Sequence, residues 1–378
     1  MDSFSCKLFP VCSGCKCLTS VRNPLIWSKL LSFFHKINPS ISLELVTKEI
    51  TLWRSRVKLA VRGSKKKLQI GLFKEGSHLV VDMQECPLHN PFLDQALSFL
   101  RQSILFYEIE PYQEKTLSGR LRYIQMVVNV ESKKIQLTLV WNGESLQEKE
   151  KVFIEHLMKK DIWHSVWANY LQKETNAIFG KKWDLLAGKE AFEQKVRGIF
   201  YTLHPSCFFQ AHISLFEEML AYIEKLVPSQ KNVLELYAGV GVIGLQVAQK
   251  SSHVTFIESS PRSRWSFEKT LSKLPSFFLE KCSFLSSSVE EGPEDWMGFS
   301  VILVDPPRKG LSKKCKERIF SSGASSLVYI SCGPDSFMRD CLEFLEKGWA
   351  LQEAKGFLLF PGSDHVEMVA LFQRPKPF

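Results

Sequence analysis

Asn232-Val233-Leu234-Glu235-Leu236-Tyr237-Ala238-Gly239-Val240-Gly241-Val242-Ile243-Gly244 is a β-forming apolar run that meets a glycine-rich turn and leads into a helical pattern through Ala248. The spacing G-x-G-x-x-G says little alone, but between a strand and a helix it marks a loop whose glycines let backbone approach a ligand closely. Further strand-like runs follow at residues 253–258, 299–305 and 327–330, with helical patterns between them. Strands alternating with helices predict a doubly wound, Rossmann-like parallel sheet over residues 201–378.

In such sheets ligands bind beyond the carboxyl ends of the strands. Those ends carry Tyr237, Glu258, Asp305 and Cys332. Residues 327–330 are β-formers, and Gly333-Pro334 cannot continue their strand, so Cys332 is expected on the turn that ends it. A lone cysteine is often only a small buried hydrophobe; a glycine loop, two acids and a thiol at the ends of strands in one sheet would instead line one crevice. Glu258 follows Gly239 at the distance of an acid that takes ribose hydroxyls in a nucleotide-containing cofactor. Hydride transfer and methyl transfer both remain open here, and the cysteine together with Pro306-Pro307 after Asp305 favours methyl transfer.

The remaining composition sets outer bounds. With 378 residues, 45% of them hydrophobic, the chain can bury more than one core. No basic-then-apolar leader opens it and no apolar run reaches membrane-spanning length, so a cytoplasmic location with no membrane partner is expected. Forty-nine Lys and Arg against forty Asp and Glu leave +9, which favours a polyanionic partner.

Ten cysteines are spread too unevenly for a disulfide scaffold, but four crowd the first seventeen residues. Cys6, Cys12 and Cys15 form C-x5-C-x2-C, with Cys17 nearby and Cys86 at a distance in Glu-Cys-Pro. That spacing suits zinc or an iron–sulfur cluster. Residues 1–45 are therefore read as a cysteine segment and 46–200 as an α+β domain with an antiparallel meander. Its runs at residues 68–73, 78–83, 123–130 and 134–141 read as strands, and 92–106 and 150–173 as helices over one face. Residues 53–67 carry seven positive charges and no negative one, and strand alternation puts Arg54, Arg56, Lys58 and Arg62 on one face, a candidate stripe for RNA phosphates.

Taken together, these segments resemble the RNA 5-methyluridine methyltransferase family, which includes the ribosomal RNA uracil-C5 methyltransferases and a transfer-RNA relative. The resemblance rests on residues 6–15, Glu85-Cys86-Pro87, residues 206–210 ending in Gln210, residues 234–241, Val304-Asp305-Pro306-Pro307-Arg308-Lys309-Gly310, Ser331-Cys332-Gly333-Pro334 and His365-Val366-Glu367. It implies S-adenosyl-L-methionine as cofactor, Cys332 as nucleophile and Glu367 as base. It places Gln210, Tyr237, Glu258 and Asp305 at the cofactor, with Arg308 and Lys309 toward the RNA. It makes Cys6, Cys12, Cys15 and Cys86 ligands of a 4Fe-4S cluster, and ribosomal RNA, 23S in particular, the expected substrate ahead of transfer RNA, with no protein partner implied. The small RNA-binding barrel that many relatives carry ahead of the cysteines is not expected. Two positions depart from the family pattern: Gly333 stands where Asn is usual, and Ala238 where Cys is usual.

Overall fold

The computed structural model describes residues 2–374. The chain divides into two compact units: Met1–Val21 with Glu49–Glu193, and Arg22–Lys48 with Gln194–Phe378. The expected segment 1–45 is thus not one body, because residues from Arg22 onward join the second unit.

The second unit is built on an eight-stranded sheet in the order Glu44–Val46, Ala350–Phe357, Glu367–Gln373, Ser326–Ser331, Val301–Val304, Asn232–Leu236, His253–Ile257, Cys282–Leu285. Glu367–Gln373 runs antiparallel to both neighbours, and the remaining pairs are parallel. Strands covered on both faces read as continuous apolar runs. Leu327, Val328, Tyr329 and Ile330 are all buried, and each apolar side chain so covered contributes on the order of 1.5–3 kcal/mol.

A buried phenol needs a partner, and the Tyr329 hydroxyl donates to Asp340 Oδ2 at 2.8 Å. The same carboxylate oxygen accepts the Leu311 N–H at 2.9 Å, and Lys316 Nζ reaches Oδ1 at 3.2 Å. Asp340, on helix Pro334–Glu346 directly after Cys332, therefore ties down the loop that starts at Asp305.

Residues 22–48, which sequence patterning did not attach to this sheet, brace its other end. Strand Glu44–Val46 pairs with Lys355–Phe357. The N-terminus of helix Leu25–Ile37 presents the Ile26 N–H to Asp364 Oδ1 at 2.8 Å, fixing the turn that leads to Glu367.

The first unit is a seven-stranded sheet in the order Val80–Asp82, Leu68–Phe73, Arg56–Gly63, Leu121–Val128, Ile135–Trp141, Trp163–Tyr170, Lys182–Gly188. It is not a pure meander. Ile135–Trp141 and Trp163–Tyr170 are parallel, and helix Glu148–Met158 provides the crossover such a pair requires. The helix expected over 150–173 therefore stops at Met158. Trp163, Val166, Trp167 and Tyr170 have helical spacing in the sequence, yet they lie on a strand whose two faces are both covered.

The basic stripe is also corrected. Arg62 is buried, with its Nε on Glu114 Oε1 at 3.1 Å and its guanidinium 5.0 Å from the Tyr112 and Tyr123 rings. Arg54 precedes the strand, bridges to His89 and lines the cysteine pocket. Alternation holds from Arg56 onward but not for Arg54, and a smaller apolar cluster around Ala60, Tyr123, Val140 and Leu171 covers the second face of the sheet.

Candidate active site and cysteine pocket

Sheet register converges the strand-end residues. Leu236 pairs with both Ile257 and Val304, so Tyr237, Glu258 and Asp305 each stand one residue beyond a paired position. Val304 pairs with Tyr329, and Ser331 with Met368. Continuing that last antiparallel register by one step sets Cys332 opposite Glu367.

Gln210, Tyr237, Glu258 and Asp305, with Gly239, line one cavity of 260 Å³. Tyr237 adopts φ +59°, and Gly239 and Gly241 are also left-handed at +55° and +77°. A Cβ on Gly239 would meet nothing within 4 Å, so this glycine leaves an open cradle. A Cβ on Gly244 would come within 2.3 Å of Glu235 Oε2 and 2.4 Å of the Phe256 ring, so the helix can lie this close only with glycine there. Glu235 accepts the Gly244 N–H at 2.9 Å, and burial holds its carboxyl well above the usual range. Sequence reading passed over Glu235; its only signal was an acid inside an otherwise apolar strand.

Glu258 accepts the Gly239 N–H on Oε2 at 3.1 Å and the Ser260 N–H on Oε1 at 2.8 Å, which fixes its carboxylate at the cavity wall. The Tyr237 hydroxyl engages Cys315 and Glu290. Gln210 Oε1 is buried without a hydrogen-bond partner among the described residues. An orphaned acceptor in a cavity wall costs about 1–3 kcal/mol unless a ligand donor satisfies it. Together, the open glycine cradle, the orphaned amide and the fixed carboxylate suit a ligand carrying both amine and hydroxyl donors.

The far end of this region is acidic. Burial pushes Asp305 up to about 7. Glu367 is raised well above the ordinary range by burial and then by Asp305, against the opposing charge of Arg308. Cys332 is half-buried and pushed up to about 11 by burial, then by Glu367 and Asp305. Arg308 lowers both Cys332 and Glu367, and its Nη2 lies 3.5 Å from His365 Nε2. It therefore belongs beside the thiol rather than on an outlying loop.

In the first unit, Cys6, Cys12, Cys15, Cys86 and Arg54 line one apolar pocket, whereas Cys17 does not. Burial raises Cys12, and pushes Cys15 up to about 12. Burial also opposes ionisation of Cys86, but hydrogen bonding and charge from His89 bring that thiol down. His89 Nδ1 lies 2.6 Å from Asp94 Oδ1. No group of three or more His, Cys, Asp or Glu among the described residues is arranged to hold a single metal ion.

A Rossmann-like sheet with this cavity at its carboxyl edge and a thiol beside two carboxyls fits the class of methyltransferases. The model of the family described as tRNA (Uracil-5-)-methyltransferase matches residues 294–375, the span holding Asp305, Cys332 and Glu367. The methyltransferase small domain model matches 204–329, the span holding Gln210, Tyr237 and Glu258. An uncharacterized RNA methyltransferase of Protochlamydia amoebophila is 36% identical over 99% of this chain and 98% of its own. One from Listeria monocytogenes is 25% identical over 97% of this chain and 83% of its own. The fold is shared with the tRNA (uracil-54, C5)-methyltransferase of Pyrococcus abyssi, solved with S-adenosyl-L-homocysteine, at TM-score 0.75 and 22% identity over 96% of this chain and 86% of that one. The chain belongs to the RNA uracil-C5 methyltransferase family and is an RNA methyltransferase. No helix of the described residues is long and apolar enough to cross a membrane.

Proposed function

We propose that this enzyme methylates C5 of a uridine in ribosomal RNA, 23S being the expected molecule, through a covalent adduct on Cys332. The supporting observation is the register that sets Cys332 opposite Glu367, with Asp305 one residue past the neighbouring strand. Gln210, Tyr237, Glu258 and Asp305 would hold S-adenosyl-L-methionine, which supplies the methyl group as an electrophile.

C5 of uracil is a weak nucleophile. Addition of the Cys332 sulfur to C6 pushes electron density toward C5 and the C4 oxygen, so C5 can take the methyl group. Glu367 then removes the C5 proton, the ring double bond re-forms, and the C6–S bond breaks to return Cys332. A carboxylate held above its ordinary pKa is a better proton acceptor, and burial gives Glu367 that property. A stacked base cannot reach a half-buried thiol, so the target uridine is flipped out or lies in a loop.

Cys6, Cys12, Cys15 and Cys86 would ligate a 4Fe-4S cluster. Four thiols around one pocket match the ligand count of such a cluster, and the family resemblance favours it over zinc. Arg54 offsets their negative charge. Because the family resemblance makes ribosomal RNA the expected substrate ahead of transfer RNA, ribosomal RNA is the first substrate to assay. The Pyrococcus protein acts on tRNA, so tRNA is assayed in parallel. Mapping 5-methyluridine in both RNAs from cells with and without the protein tests the assignment; a mark lost from tRNA alone would overturn the ribosomal target.

A further inference from the structure

A cavity of 620 Å³ in the first unit, which adjoins the cysteine pocket at Glu85, has no part in the chemistry above. One wall is helix Pro91–Phe106, where Phe92, Gln95, Phe99 and Gln102 recur at helical spacing along a single face. The other wall is the entry to two adjacent strands, with Lys133 before Ile135–Trp141 and Lys160 before Trp163–Tyr170.

The chemistry of this groove is specific. Phe92 and Phe99 are only partly buried, although a phenylalanine gains most from full cover. Each ring carries a lysine above it: Lys133 Nζ is 5.5 Å from the Phe92 centroid, and Lys160 Nζ is 5.4 Å from that of Phe99, whose ring also stacks on His156 with centroids 5.8 Å apart. The other charges are largely committed, since Asp94 is held by His89 and Arg101 by Asp82 at 2.7 Å. Glu85 alone opposes the two exposed lysines. Aromatic faces, exposed amides and lysines in one groove match bases, base edges and phosphates in turn. Phe92 and Phe99 stand two helical turns apart, about 10 Å along the axis, so each ring can take a different base of one extended strand once its lysine turns from the ring face to a phosphate.

We propose that this groove binds single-stranded RNA, holding nucleotides of the substrate other than the one that is methylated. The inference rests on the functional reading only in taking the RNA to be the enzyme's substrate. Duplex RNA presents no free base faces and gains nothing from the rings, and an acidic peptide would use the lysines but not the stacking platform.

The probe is a fluorescein-labelled single-stranded oligouridylate, followed by anisotropy across a salt series, with a duplex RNA and an oligoglutamate peptide as comparisons. Phe99→Leu keeps the apolar contact but removes the stacking face, and should weaken oligouridylate binding roughly tenfold. Lys133→Glu combined with Lys160→Glu should reduce the salt slope by about 1.4, two phosphates on a single strand. S-adenosylhomocysteine affinity, read on the same preparations, should be unchanged in both, and the melting temperature unchanged in the lysine variant. In unmodified protein, 4-thiouridine crosslinks should fall within residues 91–106, 133–135 or 160–162. Crosslinks confined elsewhere, or wild-type affinity in both variants, would overturn the proposal, as would oligoglutamate binding that the lysine changes abolish while RNA binding is spared. If the wild type transfers methyl groups to RNA while the variants bind normally, the groove assignment alone fails. If oligouridylate binding depends on the groove but no methyl group reaches any RNA, the functional reading fails and the groove stands.

Discussion

Cys332 and Glu367 act at different stages of the proposed reaction, so their substitutions should stop it at different points. Cys332→Ala cannot add to C6 and should neither form an adduct nor transfer a methyl group, while retaining both ligands. Glu367→Gln keeps the size and hydrogen bonding but cannot take the C5 proton, so it should accumulate a methylated protein–RNA adduct. Denaturing gels with label in both RNA and donor would show one doubly labelled shifted band for the Glu367 variant and none for the Cys332 variant. Normal turnover by Glu367→Gln would move the base elsewhere. Asp305 allows a test without RNA. Its carboxyl sits at about 7 against an ordinary 3.8. Below the lower value both folded and unfolded states are protonated; between the two, the unfolded state has lost its proton while the folded state keeps it. Stability is therefore lost as pH rises through that window, and the cost is full above it. Asp305→Asn should raise the ligand-free melting temperature more at about pH 8 than at about pH 4, by roughly 2–4 °C for each kcal/mol relieved. An equal gain at both pH values would remove Asp305 as the source.

At the scale of elements, some features could be read from the sequence and others could not. Four parallel strands of the second unit, Asn232–Leu236, His253–Ile257, Val301–Val304 and Ser326–Ser331, are short, largely apolar and followed within four residues by Gly or Pro, a pattern with few alternatives. Trp163–Tyr170 was misread because its aromatic residues fall at the spacing of a helix face, and bulky side chains on both faces of a covered strand leave no alternation to see. The site was legible where motifs sit at strand ends. Arg308 beside the thiol, Glu235 beneath the glycine loop and the bracing by residues 22–48 were not, because each depends on packing between segments distant in sequence. Gly333 shows how such packing changes an expectation. As a departure from the family's Asn, it looked like the loss of a polar group. In the fold, a Cβ there would lie 2.5 Å from the Arg308 carbonyl oxygen and 2.8 Å from Ser336 Oγ. Ser336 Oγ already donates to that carbonyl at 2.7 Å, tying the Arg308 loop to the turn after Cys332. Restoring Asn, or even Gly333→Ala, should thus push the loop away, lower the melting temperature by the equivalent of about 1–3 kcal/mol, and slow methyl transfer. Faster transfer in Gly333→Asn would show that the loop yields freely.

Across the whole molecule, the chain passes from the first unit to the second at residue 22, returns at 49 and leaves again at 193. The cysteine-bearing start is fastened within the first unit: Cys12 bridges to Lys74, and Leu8, Cys12 and Cys86 pack against that unit's core. The cofactor cavity is built wholly from the second. Nothing in methyl transfer to uracil consumes an electron, so the cluster's part would be structural, holding residues 2–21 to the first sheet through Cys86. Anaerobically purified protein should be brown, with iron and acid-labile sulfide near four each per chain under the four-iron reading; stoichiometric zinc without sulfide would refute it. Cys86→Ser should bleach the colour and lower amide-exchange protection in residues 2–21 and in the neighbouring strand Leu68–Phe73, because a bound centre stabilises only the state that holds its ligands together. Affinity for S-adenosylhomocysteine and protection across Asn232–Leu236 should stay at wild-type levels. A variant that keeps its first unit protected but loses only the methyl-transfer step would assign the cluster a chemical role instead.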